Sequence, residues 1–532
     1  MKEALTGNFH TRLAHRQPVR SKTPSVSAAS LARASGGSRP VRSKTPSVSA
    51  ASLARASNGS SLLEILIAVT ILSLGIGAVL LLSTANQDLK IDSQTNGEAL
   101  SKAEGMIETA RALSRQDFYS ISAIAPANDD IYTKSIDVTD IDVFTKQVTS
   151  NVAWSASASR PVAIRLTTIL TDPQSALGGD TCNPVLSGDW TDPQLLGYAD
   201  FPSSQGATGV DVLAHKAYVT TDPTGNSEDF YTFDVSNPNQ THIPFSSKLE
   251  TGPGLAAVKV AGRYAYVANT ANGSQLQVID ISQNPPAIVA ELDLTSSGTA
   301  DGSTLYYANR KVYVGLTKST GPEFFVINVS SPTTLSASDI LGSYEFDTTV
   351  NSIAVKDDRA YVATPMPTSN PPTQENLTVL NLSTNPISRL ATFSWPIYAT
   401  MDGLGVYYGK DDRLYLGRTA GGNQTTYEEF FILDPDPSSI ATPIAKKFIP
   451  DNNNGKAISI GSLIARQNLV FILTSDTNLG FQIWDLGNLS SANPYGSLNV
   501  QQSSTAGMDC EGNLIFIGQQ GNRALQIIGP GP

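Results

Sequence analysis

Residues 65–87 form 23 consecutive positions without a charge, and the stretch up to Leu82 is almost wholly apolar. At about 1.5 Å per residue, such a run spans a hydrocarbon core of roughly 30 Å. The period then changes. Ala99, Ala103, Met106, Ala110 and Leu113 recur three or four residues apart, interleaved with Glu98, Lys102, Glu104, Glu108 and Arg111. This is the pattern of a helix with one apolar face. It predicts a single helix over 60–114, membrane-buried in its first half and amphipathic in its second. Runs rich in Val, Ile and Thr follow at 131–138, 147–154 and 162–171. They predict the strands of a small β region within 115–180.

Downstream, one strand pattern recurs seven times: a polar residue, then an aliphatic–aromatic–aliphatic run. Its aromatic markers are Tyr218, Tyr266, Tyr313, Tyr361, Tyr415, Phe471 and Phe516, spaced 48, 47, 48, 54, 56 and 45 residues apart. Repeats of about 45–50 residues are the length of a β-propeller blade. A second pattern follows each of the first six, ending an apolar run in Asp or Asn at Asp234, Asp280, Asn328, Asn381, Asp434 and Asp485. Such a side chain caps the amides of the next turn, and a nearby proline keeps the strand from continuing. The predicted fold class is therefore mixed: a long N-terminal helix with a small sheet, then an all-β propeller of seven blades over 181–532. The seventh repeat stops after a third strand. An orphan strand at 192–200 is expected to pair with it and cover its exposed edge.

Composition changes the picture in three ways. Hydrophobic residues make up 40% and charged ones 16% of 532 residues, enough to bury a large core. The net charge of −11 is unevenly placed. Residues 1–59 hold ten Lys/Arg and one acid, leaving 26 basic against 46 acidic residues in the remainder. A body that acidic repels phosphate backbones, so no nucleic-acid partner is expected. The basic segment should stay cytoplasmic and send the bulk of the chain outside as a single-pass membrane protein. That leader repeats PVRSKTPSVSAASLARAS at 18–35 and 40–57 and reads as a disordered tail.

Gly59-Ser60-Ser61-Leu62-Leu63-Glu64 opens the apolar run. A glutamate at the head of a membrane helix is costly and calls for a reason. The segment resembles the signal of type IV pilins and pseudopilins, cut after a glycine by a prepilin peptidase, with Glu as the fifth mature residue. The resemblance implies cleavage between Gly59 and Ser60, methylation of Ser60, and assembly with other pilin subunits through Glu64. Ser60 stands where the family usually has Phe, Asn58 precedes the glycine where Lys or Arg is common, and the leader is longer than usual. Two alternatives stay open: a plain signal anchor, or secretion after Ser83-Thr84-Ala85. Strings such as LQVIDISQNPP resemble the repeats of bacterial surface propellers named for a Leu-Val-Ile-Val-Asp pattern.

The chain has two cysteines, Cys182 beside the orphan strand and Cys510 in the seventh repeat. Outside the cytoplasm they would bridge; otherwise they are two buried thiols. Catalytic sets are scarce. His215 and His242 have no acidic or Cys partner nearby in sequence. Residues 451–455 have the oxygen-rich flavour of a calcium loop but lack its alternating acids and terminal Glu. Polar loops at 421–426 and 368–374 could form a binding face. Neither cofactor nor metal is expected, and no enzyme activity. These readings combine into a minor or tip pilin-like subunit, in the cytoplasmic membrane and, after assembly, at the cell surface or pilus. It would present its propeller to an unknown surface protein or glycan. The alternative is a membrane-anchored extracytoplasmic enzyme or sensor outside any filament. Acidic or His side chains converging at the inner-strand ends would favour it, whereas these strands read as small and apolar (Leu255-Ala256-Ala257-Val258, Asn351-Ser352-Ile353-Ala354-Val355).

Overall fold

The structure is a computed structural model. It describes the chain from residue 61 onward except 117, 119–120, 143–144, 158–159, 173–180, 184, 202–205, 224–226, 296–299, 366–374, 395–400, 421–426, 452–454, 477, 492, 501–506 and 520–522. Gly59, Ser60 and the duplicated leader thus lie outside the described residues, as do both polar loops at 421–426 and 368–374. The chain divides into two compact units, 1–84 and 85–532.

One helix, α1 (Ser61–Gln116), contains the boundary between them. Its first half is apolar and exposed from Leu62 to Leu82, with Glu64 in the first turn. It is long and apolar enough to cross a membrane. In its second half, Ala99, Ala103, Ile107 and Ala110 are buried against a four-stranded antiparallel sheet. The strands are β1 (Ile124–Asp129), β2 (Tyr132–Asp142), β3 (Thr145–Ser157) and β4 (Arg160–Thr171), in that order. Alanines let the sheet approach closely enough for Ser150 Oγ to donate to the Ala103 carbonyl at 3.1 Å. Tyr132 and Trp154 pack edge to face beside Ala99 and Ala103. Leu113 is largely exposed, so the apolar stripe ends a turn earlier than its spacing predicts. Asp129 at the end of β1 receives Lys102 of the helix and Lys134 of β2, each at 2.8 Å.

Beyond residue 180 the fold is all-β and propeller-like. Among the described residues there are seven further sheets. Six are four-stranded antiparallel units following one another along the chain. Their first strands are Ala207–Leu213, Leu255–Ala261, Gly302–Ala308, Ser352–Lys356, Gly403–Tyr408 and Ile460–Arg466, and that of the seventh sheet is Met508–Gly512. Each first strand packs beside those of the preceding and following sheets, and the seventh packs beside the first. The aromatic markers all fall in the second strands, and five of the six terminal Asp or Asn residues end third strands. Asp434 lies one residue beyond the strand Phe430–Leu433. All six side chains accept the backbone N–H two residues on, at 2.8–3.1 Å. A further layer escapes sequence reading. The residue just before a third strand is a buried polar group in five sheets: Asp229, Gln275, Glu323, Asn376 and Glu429. Each hydrogen-bonds the connection leading to the next sheet, as when Ile449 N–H donates to Glu429 at 3.0 Å.

The seventh sheet has five strands. Its last strand, Leu525–Gly531, is covered by β6 (Asp189–Ala199), antiparallel, with Ile527 opposite Gly197. Its first strand is flanked in parallel by β5 (Thr181–Cys182). Cys182 and Cys510 are disulfide-bonded, closing a separation of 328 residues. A loop of that length predicts that Cys182→Ala/Cys510→Ala lowers stability by about 2–5 kcal/mol, read as a lower denaturant midpoint at unchanged slope. An unchanged midpoint would show that β6 alone holds the ring.

Candidate functional site

The seven first strands surround a cavity of about 750 Å³. Strand register sets its wall: of the seven positions opposite the aromatic markers, all but Asp211 line the cavity. The residues opposite the seven aromatic markers are Asp211, Lys259, Tyr306, Ala354, Tyr407, Ile464 and Asp509. They are equivalent positions of one repeat, yet five of the seven are polar and the two acids and the lysine fall on consecutive sheets. This differs from the small, apolar inner strands that the sequence predicts, for one segment read there stops one residue short of Lys259 and the other belongs to the sheet whose position is Ala354.

Asp211 and Asp509 tie the ring together. The Val260 N–H donates to Asp211 Oδ2 and the Val212 N–H to Asp509 Oδ2, both at 2.7 Å, each across a sheet boundary. Lys259 Nζ donates to Asp211 Oδ1 at 2.5 Å. Burial pulls Lys259 downward, but the charges of Asp211 and Asp509 outweigh it and hold the lysine above its ordinary range. Burial, then the like charge of Asp211, pushes Asp509 up to about 7. Arg466 donates to the Tyr407 hydroxyl at 2.5 Å, and burial lowers its guanidinium to about 10. Lys259, Tyr306, Tyr407 and Asp509 all line the cavity. Burial also raises Tyr306 and, more strongly, Tyr407. Hydroxyls elsewhere on the wall serve as stitches between sheets: Ser303 Oγ donates to the Val350 carbonyl at 2.7 Å and Thr208 Oγ1 to the Leu255 carbonyl at 2.5 Å.

Both histidines of the body have acidic partners, contrary to the sequence reading. His215 Nδ1 lies 3.0 Å from Glu511 Oε2, and His242 Nδ1 lies 3.1 Å from Asp200 Oδ2 while its Nε2 meets the Tyr198 hydroxyl at 3.0 Å. The partners are 296 and 42 residues away, so proximity along the chain could not reveal them. Both pairs are largely solvent-exposed at the imidazole and lie outside the cavity wall. Of the oxygen-rich stretch 451–455, Asp451 and Gly455 are described and form a turn in which the Gly455 N–H donates to the Asp451 carbonyl at 2.8 Å. Among the described residues no group of three or more His, Cys, Asp or Glu is placed to hold a metal.

No protein-family model matches the chain, and no curated protein matches it. Solved structures do. It is similar to the computationally designed protein Ika8, at 11% identity over 63% of this chain and 99% of that one, TM-score 0.40. It is similar to Sqt1 of Saccharomyces cerevisiae, at 10% over 63% and 84%, TM-score 0.39. It is also similar to YCF48 bound to D1 peptide, at 10% over 68% and 100%, TM-score 0.41. By its own sheet topology the chain beyond residue 180 is all-β and propeller-like, and it carries one helix long and apolar enough to span a membrane.

The cavity acids set a pH dependence. A carboxyl raised in the folded state leaves the fold holding more protons than the unfolded chain, so stability falls as pH rises from the ordinary aspartate range through about 7. Melting temperature should therefore be lower at pH 8 than at pH 5. The difference should shrink in Asp509→Asn, whose amide oxygen still accepts from Val212. It should not vanish, because burial also raises Glu429, to about 8, and Asp229, to about 6. An equal pH difference in the variant would contradict the assignment.

Proposed function

We propose that this chain is a minor or tip subunit of a type IV pilin-like filament, carrying a seven-bladed propeller outside the cell as a binding domain rather than an enzyme. The observation that carries the reading is the divided character of α1. One half offers mainly exposed apolar side chains with a single carboxylate, Glu64, in the first turn. The other half is stitched by small residues to a four-stranded antiparallel sheet, the arrangement a pilin-like stalk would have. In such a filament Glu64 would pair with the freed N-terminal amine of a neighbouring subunit. Both charges would then be neutralised inside an apolar core, where an unpaired charge costs several kcal/mol. A propeller of some 350 residues is bulky for a repeating unit, which favours a minor or tip position.

Prepilin peptidase is the processing partner in this reading, acting between Gly59 and Ser60. Other pilin subunits are the assembly partners, and the propeller meets a surface protein or glycan. A second reading has its own observation: Asp509 lines the cavity and Asp211 is paired with the lining residue Lys259, as a membrane-anchored extracytoplasmic enzyme or sensor would use. Both acids, however, already accept amides across sheet boundaries, which gives them structural work.

The readings separate on Glu64→Gln. In the filament reading the variant inserts in the membrane normally but falls at least tenfold in sheared surface filaments, measured by quantitative immunoblot. Equal recovery with wild type would favour the tethered enzyme or sensor.

A further inference from the structure

We propose that the central cavity is a binding site for a neutral oligosaccharide, entered between the ends of the first strands; this rests on reading the propeller as an exposed binding domain. Its volume of about 750 Å³ falls within the roughly 300–1,000 Å³ of pockets that enclose small ligands. Charge excludes ionic ligands first. Lys259 is neutralised by Asp211 and lies in the field of Asp509, and the lining residues Lys356 and Lys410 are matched in number by Asp357 and Asp412, so neither sign of charge dominates the wall. Anionic glycans are further opposed by the acidic body, with 26 basic against 46 acidic residues after residue 59.

The cavity instead offers neutral chemistry. Tyr306 and Tyr407 present aromatic rings on the third and fifth sheets, and rings of this kind pack on the C–H faces of sugars while the phenol contributes a polar edge. The Tyr306 hydroxyl hydrogen-bonds to no described residue, although the ring is half-buried in the wall. A phenol left unpaired there can both donate to and accept from a sugar hydroxyl. Among the polar groups of the cavity wall, Asp509 and Lys259 have partners that stitch the ring. Tyr306 is therefore the group whose loss should weaken a ligand without weakening the fold.

The test uses the full chain purified from membranes in a detergent without a sugar head group. Maltotriose, cellotriose, mannotriose and triacetylchitotriose are titrated by calorimetry and saturation-transfer NMR. At least one should bind. Tyr306→Phe should weaken it about fivefold, the size of one hydrogen bond, at unchanged melting temperature. Leu404→Trp, which replaces a half-buried side chain of the wall by a larger one, should abolish binding. The inference is overturned if none of the four binds, or if binding occurs and neither variant alters it. Recovery of the protein in filaments depends on Glu64 and not on these residues, so failure here leaves the assembly reading standing.

Discussion

A ring of sheets exists only if its last member meets its first, and in this protein one strand borrowed from upstream makes that possible. β6 lies along Leu525–Gly531 and covers the edge that the seventh repeat leaves bare. Without it the sheet would end in a row of unpaired N–H and carbonyl groups, a template for association with other chains. The same seam carries the disulfide between Cys182 and Cys510, the Asp509 carboxylate on the Val212 amide, and the His215–Glu511 pair. Strand pairing, a disulfide, a buried carboxylate–amide bond and an ion pair are thus concentrated around the seventh sheet and its boundary with the first. The cavity depends on this closure, since its wall takes strands from all seven sheets.

How much of this could be read in advance depends on whether a position repeats by residue type or by place. The second strands were legible because Tyr218 and its six counterparts are all aromatic, and the third because each of six ends in Asp or Asn. Both classes answer a constraint common to every sheet: an interior to fill and a turn to cap. The cavity wall answers none. Asp211, Lys259, Tyr306, Ala354, Tyr407, Ile464 and Asp509 share a register and nothing else, so no pattern could announce them. The same holds for the buried groups at Asp229, Gln275, Glu323, Asn376 and Glu429, which do one job with four residue types. β1 escaped for a different reason: Ile124–Asp129 contains Pro126 and only one β-branched residue, and it is a strand because β2 pairs with it.

The helix shows how one element can serve two solvents. Its first half has no face, as suits a helix long and apolar enough to cross a membrane, where every side would meet an apolar surrounding. Its second half has one, defined by Ala99, Ala103, Ile107 and Ala110 against the sheet. Glu64 fits neither half by itself, and the filament reading gives this carboxylate a charge to meet.

The most direct test of this account is the N-terminal mass of the protein recovered from membranes. Processing by prepilin peptidase requires a mature chain beginning at Ser60, with or without an added methyl group. A chain beginning at Met1, or one beginning at Asn86 after cleavage beyond Ala85, would contradict it.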